Sequence, residues 1–372
     1  MKNILLGTTG LVGAAMLAAS ASAETPKVTV GGFIDFQAGF MSDDLDAAQR
    51  SQGFRNDSEV SVRVDGKSDS GLGYGAVIDL EADVTADANG EGLNASRTYI
   101  YLDGGWGRFE LGSNQGSAAT MAIDADNIAV ATGGINGAWH YFANHPGIGY
   151  ISTPELPAEH GTVLAAGSES TDNNNKITYY SPRFSGFQLG VSYAPDLTDK
   201  GQTVTRTDVG ASAGDVFDLA LNWEGNWDMV SIGLAATGTF ADGDTGTEDI
   251  NAWNVGGMLG YKGFSLAASY GDWDDSLRAV GGTNDDADYW TLGVAYEGGP
   301  WGVSATYMDS DYESGVAGGG SNDFDNLVIG ADYKLAPGLT PYAEVSFYDY
   351  DAAGTASDND GTVFILGTQL AF

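Results

Sequence analysis

The sequence predicts an all-β protein: a 16-stranded antiparallel transmembrane β-barrel. Three observations predict it. Apolar residues alternate with polar or small ones in short segments all along the chain, which is the period of a strand and not of a helix. Short turns alternate with long polar loops from one end to the other. The chain also stops on an apolar strand, Thr362–Phe372, with nothing after it. That last segment has about the 9–11 residues a tilted strand needs to cross a bilayer. Phe364, Leu366, Thr368, Leu370 and Phe372 share one face; Val363, Ile365, Gly367, Gln369 and Ala371 share the other. Such an edge cannot stand open in lipid, because its N–H and C=O groups would lack partners. It must pair with the first strand.

The elements follow in order. Lys2, the apolar run Ile4–Ala19 and the small-residue site Ala21-Ser22-Ala23 mark residues 1–23 as a secretory signal peptide. The barrel domain is then 24–372. In the first strand Val28, Val30, Ile34, Phe36 and Phe40 lie on one face, with Thr29, Asp35 and Gln37 on the other. Val60, Val62 and Val64 alternate with Glu59, Ser61, Arg63 and Asp65 in the second. Ala76, Ile78 and Leu80 alternate with Val77, Asp79 and Glu81 in the third. Turns are expected at 66–71, Asp103–Gly105, Pro182–Gly186, Glu224–Asn226, Lys262-Gly263, Glu297–Gly299 and Ala336–Gly338. Long loops are expected at 42–53, 83–94, 113–175, 195–214, 239–249, 272–287, 309–324 and 349–361. After the leader, no run approaches the ~18 apolar residues of a membrane helix.

Aromatic residues support two membrane interfaces. Tyr74, Trp106, Phe187, Trp223, Trp227, Tyr261, Phe264, Tyr296, Trp301, Tyr333 and Phe372 fall near the short turns. Phe40, Tyr193, Trp253, Tyr270, Trp290, Tyr307 and Phe347 fall toward the long loops. Amphipathic rings settle at headgroup level, so two girdles are expected. A soluble β-sandwich would also alternate its faces, but its loops are short at both ends.

Composition narrows the function. There are 15 Lys+Arg against 51 Asp+Glu, a formal charge of -36. Nucleic-acid binding needs a basic footprint and is excluded. Such acidity suits a solvated surface, divalent cations or a cation-attracting lumen. With no cysteine there is neither a disulfide framework nor a thiolate metal site.

Several segments then resemble one family. Asn175-Lys176-Ile177-Thr178-Tyr179-Tyr180-Ser181-Pro182-Arg183-Phe184-Ser185-Gly186-Phe187-Gln188-Leu189-Gly190-Val191-Ser192-Tyr193 is similar to the central hairpin of Gram-negative general porins. So are Asp69–Ala76 and the strand pair Arg97–Leu102 with Arg108–Gly112, and the terminal Phe372 resembles the family's assembly signal. The resemblance is nearest to alphaproteobacterial porins. It implies a sixteen-stranded barrel of the outer membrane, set in lipid and lipopolysaccharide. It also implies a homotrimer, joined through strands one to five, through which ions and small hydrophilic solutes diffuse.

The loop at about 113–175 is too long for a hairpin connection. Its Gly and Pro residues allow sharp folding, and Met121, Ile123, Ile128, Val130, Trp139 and Phe142 do not suit a solvated tip. By the resemblance it enters the lumen, with Asp124 and Asp126 as the acidic side of a constriction. The opposite wall is expected to be basic. Parity places Arg63, Arg97 and Arg108 on the polar face, and lipid exposure would cost each about 2–4 kcal/mol near the midplane. They resemble the family's arginine cluster, which Arg55 joins from the loop edge. One departure weakens it: Leu111-Gly112 is followed by Ser113, where many relatives carry arginine. Asp35, Glu59, Asp79, Glu81 and Glu110 are lumen-facing by parity, and with the net charge they predict cation preference.

Other motifs carry little. Gly210-Ala211-Ser212-Ala213-Gly214 matches a nucleophile elbow but lacks the strand–turn–helix setting. His140, His145 and His160 lack metal-ligand spacing. No enzyme and no cofactor are expected. Asp358-Asn359-Asp360-Gly361 and Asp242-Gly243-Asp244 are acidic turns where Ca²⁺ or Mg²⁺ could bridge loops or lipid phosphates. The competing function is a surface receptor or adhesin barrel that uses the acidic loops without diffusion as its main task.

Overall fold

A computed structural model of the chain describes residues 24–45, 49–82, 94–145, 149–160, 173–202, 204, 206, 213–243, 245–278, 280, 286–313, 320–354 and 358–372. The expected signal peptide, most of the 83–94 loop, Asp244 and the elbow-like Gly210–Ser212 lie outside the described residues.

Sixteen strands form one closed antiparallel barrel. They are β1 (Glu24–Asp43), β2 (Gln52–Lys67), β3 (Gly73–Glu81), β4 (Asn94–Gly104), β5 (Gly107–Ser113), β6 (Asn175–Tyr180), β7 (Phe187–Asp196) and β8 (Gly214–Trp227). Then come β9 (Val230–Asp242), β10 (Ile250–Tyr261), β11 (Phe264–Asp272), β12 (Ala287–Gly298), β13 (Trp301–Glu313), β14 (Ser321–Tyr333), β15 (Leu339–Asp351) and β16 (Asn359–Ala371). The final strand closes on the first, in register from Phe33 opposite Ala371 to Asp43 opposite Gly361. Gly32 N–H donates to the Phe372 backbone oxygen at 3.1 Å, and Phe372 N–H returns the bond at 3.0 Å.

The faces fall as the alternation predicts. Val28, Val30, Ile34, Phe36, Phe40, Phe364, Leu366 and Leu370 are exposed on the outer surface, while Asp35, Gln37, Val363 and Ile365 are buried inside. Both girdles are present as outer-face ring pairs. On the turn side these are Trp106–Phe109, Phe187–Trp223, Phe264–Tyr296 and Trp301–Tyr333. On the loop side they are Phe40–Phe364, Tyr193–Phe217, Trp253–Tyr270 and Trp290–Tyr307.

One turn is displaced from its expected place. Glu224–Asn226 belongs to β8, and the reversal falls at Asp228-Met229, where Asp228 takes a positive φ of 56°. Gly225 reads as a turn signal but has another use. The Trp223 indole folds over it, and the indole N–H donates to Ser185 O at 3.2 Å. Several strands also reach further than expected, with β13 running to Glu313 and β16 starting at Asn359.

A recurring row stitches the inner wall. A tyrosine lies flat over a glycine on the next strand, and its hydroxyl bonds the strand beyond. Tyr289 of β12 covers Gly271 of β11 and accepts from Asn254 Nδ2 of β10 at 2.6 Å. Tyr348 covers Gly361 and donates to Asp43 at 3.1 Å, so β15 is tied across β16 to β1. Tyr342 over Gly367 donates to Asp35 at 2.7 and 2.8 Å. The missing Cβ makes room for the ring, the device known as aromatic rescue.

The outer face at the loop end carries two rows of aspartates directly opposite one another. Asp272, Asp288, Asp311, Asp323 and Asp351 are successive partners across β11–β15. Asp309, Asp325, Asp349 and Asp360 form the second row across β13–β16. Like charges directly opposite destabilise a sheet.

Two outcomes are expected. Gly271→Val drives a branched side chain into the Tyr289 ring and costs about 1–3 kcal/mol, as overpacking does. It is read as a lower urea midpoint of the protein folded into vesicles. Asp311→Asn stabilises the fold at low salt by about 0.2–1 kcal/mol, read as a higher thermal midpoint, and added salt shrinks the gain as it screens the row.

Candidate functional site

Residues 114–145 and 149–160 of the segment between β5 and β6 lie inside the barrel and line most of its wall. Helix α1 (Ser117–Met121) packs on β7–β9. A 3-10 turn at Asp126–Ile128 meets β11 and β12, one at Gly134–Asn136 meets β13 and β14, and one at Ala138–Tyr141 meets β16. Phe142 continues onto Gly39 of β1. The chain then returns to α2 (Pro157–His160) against β10.

Two features of the wall hold it. The first is a track of inner-face glycines. Met121 sits against Gly190, the Ile123 carbonyl against Gly256, Ala125 against Gly293, and Val130 against Gly302 and Gly330. A Cβ at Gly256 would strike the Ile123 backbone. The second is a set of wall side chains that satisfy the loop's backbone. The N–H groups of Ser117, Ala125, Val130 and Ile135 donate to Ser192, Thr291, Ser304 and Thr306 at 2.7, 3.2, 3.1 and 3.1 Å. On the return path Ser310 donates to Ile151 O at 2.6 Å, Trp273 to Glu155 O at 3.0 Å and Asn322 to Gly149 O at 2.8 Å. The Glu344 carboxylate of β15 accepts both the N–H and the hydroxyl of Thr132. Apolar packing completes the seat: Trp139 stacks between Phe324 and Tyr348, and Ile135, Ile151 and Leu156 are buried beside them.

The stretch of wall left facing the lumen, β2–β5, carries the predicted arginines. Each has its own carboxylate. Arg55 pairs with Asp57 at 2.9 Å, Arg63 with Asp65 at 3.2 Å, Arg97 with Asp79 at 2.9 Å and Arg108 with Glu110 at 2.6 Å. Three of the four pairs are residues two apart on one strand, an Arg-x-Asp/Glu pattern that alternation places side by side. Asp57 and Asp65 were legible from that spacing alone. Tyr101 and Tyr99, which stand among these pairs, had no such signal.

The expected acids divide. Asp79 and Glu110 are arginine partners, and Asp35 accepts from Tyr342 and Gln37 inside the β1–β16 seam. Glu59 and Glu81 are direct partners across β2 and β3. On the loop, Asp126 accepts from Asn136 at 3.3 Å, and the same amide reaches Glu155 at 3.5 Å. Asp124 does not offer its charge to the lumen. It is 5% exposed, and its carboxylate accepts the Asp126 N–H at 3.1 Å. Burial, then the negative charge of Asp126, pushes its pKa well above the carboxylate range. Glu155 takes its place beside Asp126; the long stretch of intervening chain hid that neighbourhood from the sequence.

The loop also touches the basic wall. Tyr141, 56% exposed, lies under the Arg55 guanidinium at 3.9 Å, with the His140 ring beside it at 4.2 Å. His145 receives the Tyr150 hydroxyl at 2.7 Å, and burial lowers its pKa. The side chain of His160 lies outside the described residues. Among the described residues no group of three or more His, Asp or Glu is arranged to hold a metal ion.

A closed barrel, apolar outside, belted by aromatic rings and narrowed by an inserted segment over a charged wall, is a membrane channel of the bacterial outer-membrane type. The sequence profile of Gram-negative porins matches residues 8–353, and the chain belongs to that family. An uncharacterized protein of Rickettsia typhi is 24% identical over 93% of both chains. Outer membrane porin protein 32 of Delftia acidovorans is 26% identical over 77% of this chain and 65% of its own length. Among solved structures, an anion-selective porin from Comamonas acidovorans aligns with a TM-score of 0.64 at 19% identity, over 94% of this chain and all of that one. A mutant of the Rh. blastica porin aligns at 0.56 and 20%, over 93% of this chain and all of that one.

The buried acid gives a pH signature. Between the ordinary carboxyl range and the raised value, the folded chain holds a proton on Asp124 that the unfolded chain releases. Stability is therefore greatest below the ordinary carboxyl range, falls as pH rises through the window up to the raised value, and then levels. Asp124→Asn keeps the acceptor oxygen and removes the charge. Protection factors of the loop amides should match the parent at acid pH and exceed it at neutral pH. Comparing the two proteins at each pH cancels the opposite trend of His145.

Proposed function

We propose that this porin is a general diffusion channel of the outer membrane that passes ions and small hydrophilic solutes and prefers cations. The observation that carries the reading is the division of the lumen. The inserted segment is bedded on the wall from β7 round to β1, so passage runs beside β2–β5. There, Arg55, Arg63, Arg97 and Arg108 are each matched by a carboxylate, while Glu59, Glu81, Asp126 and Glu155 add further negative charge. A neck with more carboxylates than guanidinium groups favours cations. The anion-selective neighbour shares the fold at 19% identity, which leaves the sign of selectivity to this chain's own charges.

The reading includes a homotrimer set in lipid and lipopolysaccharide, with no catalytic step. His140 and His145 are engaged with neighbouring rings and backbone.

Planar-bilayer recording of the purified, unheated protein tests it. Ohmic steps in triplets are expected, with a reversal potential of cation-preferring sign under a KCl gradient. Glu59→Gln should move that potential toward anions, and Arg55→Gln should move it the other way. A silent protein, or an anion-preferring one with an inert Glu59→Gln, overturns the proposal.

A further inference from the structure

Arg63 and Arg108 stand on β2 and β5, with two strands between them. One side chain links them. Tyr101 of β4 lies over Gly75 of β3, its direct partner, and is 3% exposed. Its hydroxyl donates to the Asp65 carboxylate and lies 3.3 Å from Val64 O. Asp65 in turn accepts Arg63 Nε at 3.2 and 3.3 Å. The Arg108 guanidinium sits on the Tyr101 ring, 3.9 Å from its centroid, and that of Arg63 is 5.5 Å from the same centroid. Glu110 holds Arg108 from the far side and is itself bonded by Asn114. The result is one continuous array from Arg63 through Asp65, Tyr101, Arg108 and Glu110 to Asn114.

The other tyrosine-over-glycine rows tie strands together; this one also carries two guanidinium groups. Those two cations repel, and an arginine side chain has many rotamers. A shared aromatic face attracts both and fixes where each can sit. The ring is covered and the guanidinium groups are not, so ions in the lumen meet the arginines and not the tyrosine.

We propose that Tyr101 is the positioning residue of the cationic wall: it fixes the spacing of the Arg63 and Arg108 charges and so tunes the charge selectivity of the neck. The proposal rests on the reading of the lumen as a conducting path. The test uses the full-length protein in planar bilayers. In the native background the reversal-potential shifts of Arg63→Gln and Arg108→Gln are expected to be non-additive, because removing either cation lets the other relax on the ring. Tyr101→Phe keeps the ring and should keep most of that coupling. Tyr101→Leu should abolish it, shift the reversal potential and raise open-channel current noise as the arginines become mobile. Additive shifts in the native background overturn the proposal even if Tyr101→Leu fails to fold. A Tyr101→Leu channel with parental noise and reversal potential overturns it as well. An unsubstituted protein that conducts nothing overturns the channel reading first, and this inference with it.

Discussion

A backbone that enters the lumen of a barrel at membrane depth must find a partner for every polar group that water does not reach. The described part of the segment between β5 and β6 finds several of those partners in side chains of the wall. Ser192, Thr291, Ser304 and Thr306 each take one of its N–H groups, and Ser310, Trp273 and Asn322 each donate to one of its carbonyls. These partners come from β7, from β12 to β14, and from Trp273 just past the end of β11. The glycines beneath the segment belong to the same arc. The wall therefore has two parts with different tasks: an arc that seats the loop, built of hydroxyls and glycines, and an arc from β2 to β5 that keeps its charges for the lumen.

This division explains why the arginines stand where they do. A cation on the seating arc would be buried under the loop and would need a buried partner, as the buried Lys176 of β6, next to that arc, has in Asp218. On β2–β5 the arginines remain partly hydrated, and each is steadied by a neighbouring carboxylate. Pairing costs the wall part of its positive field. A matched wall repels neither sign strongly.

Much of the fold was legible because lipid enforces a strict period of two. Outward Val28, Val30, Ile34 and Phe36 and inward Asp35 and Gln37 follow from it directly, and so does the closure by Thr362–Phe372. The misplaced β8–β9 turn shows where that reading fails: Gly225 serves a ring and not a reversal, and only the packed Trp223 reveals it. The site was legible in halves. Strand parity placed Arg63, Arg97 and Arg108, because a charge in lipid is too costly to allow another placement; Arg55 was assigned from the loop edge and lies on β2. The loop has no period, so Asp124 and Asp126 were indistinguishable in sequence. Contacts with Asn136 and Glu155, and the burial of Asp124, tell them apart.

The aspartates show how far environment governs one residue type. Inside, Asp57, Asp65 and Asp79 each hold an arginine. Outside, at the loop end, Asp288, Asp311 and Asp323 face one another directly across three strands. Opposed carboxylates are tolerable only where the dielectric is high or counter-ions are near, since the same repulsion grows as the dielectric falls. The rows begin beyond the ring pairs Trp253–Tyr270 and Trp290–Tyr307, at the level where hydrocarbon gives way to headgroups and water. The change from aromatic to aspartate along β11–β13 therefore marks the upper boundary of the apolar belt, and that boundary fixes how deep the neck formed by β2–β5 sits in the membrane.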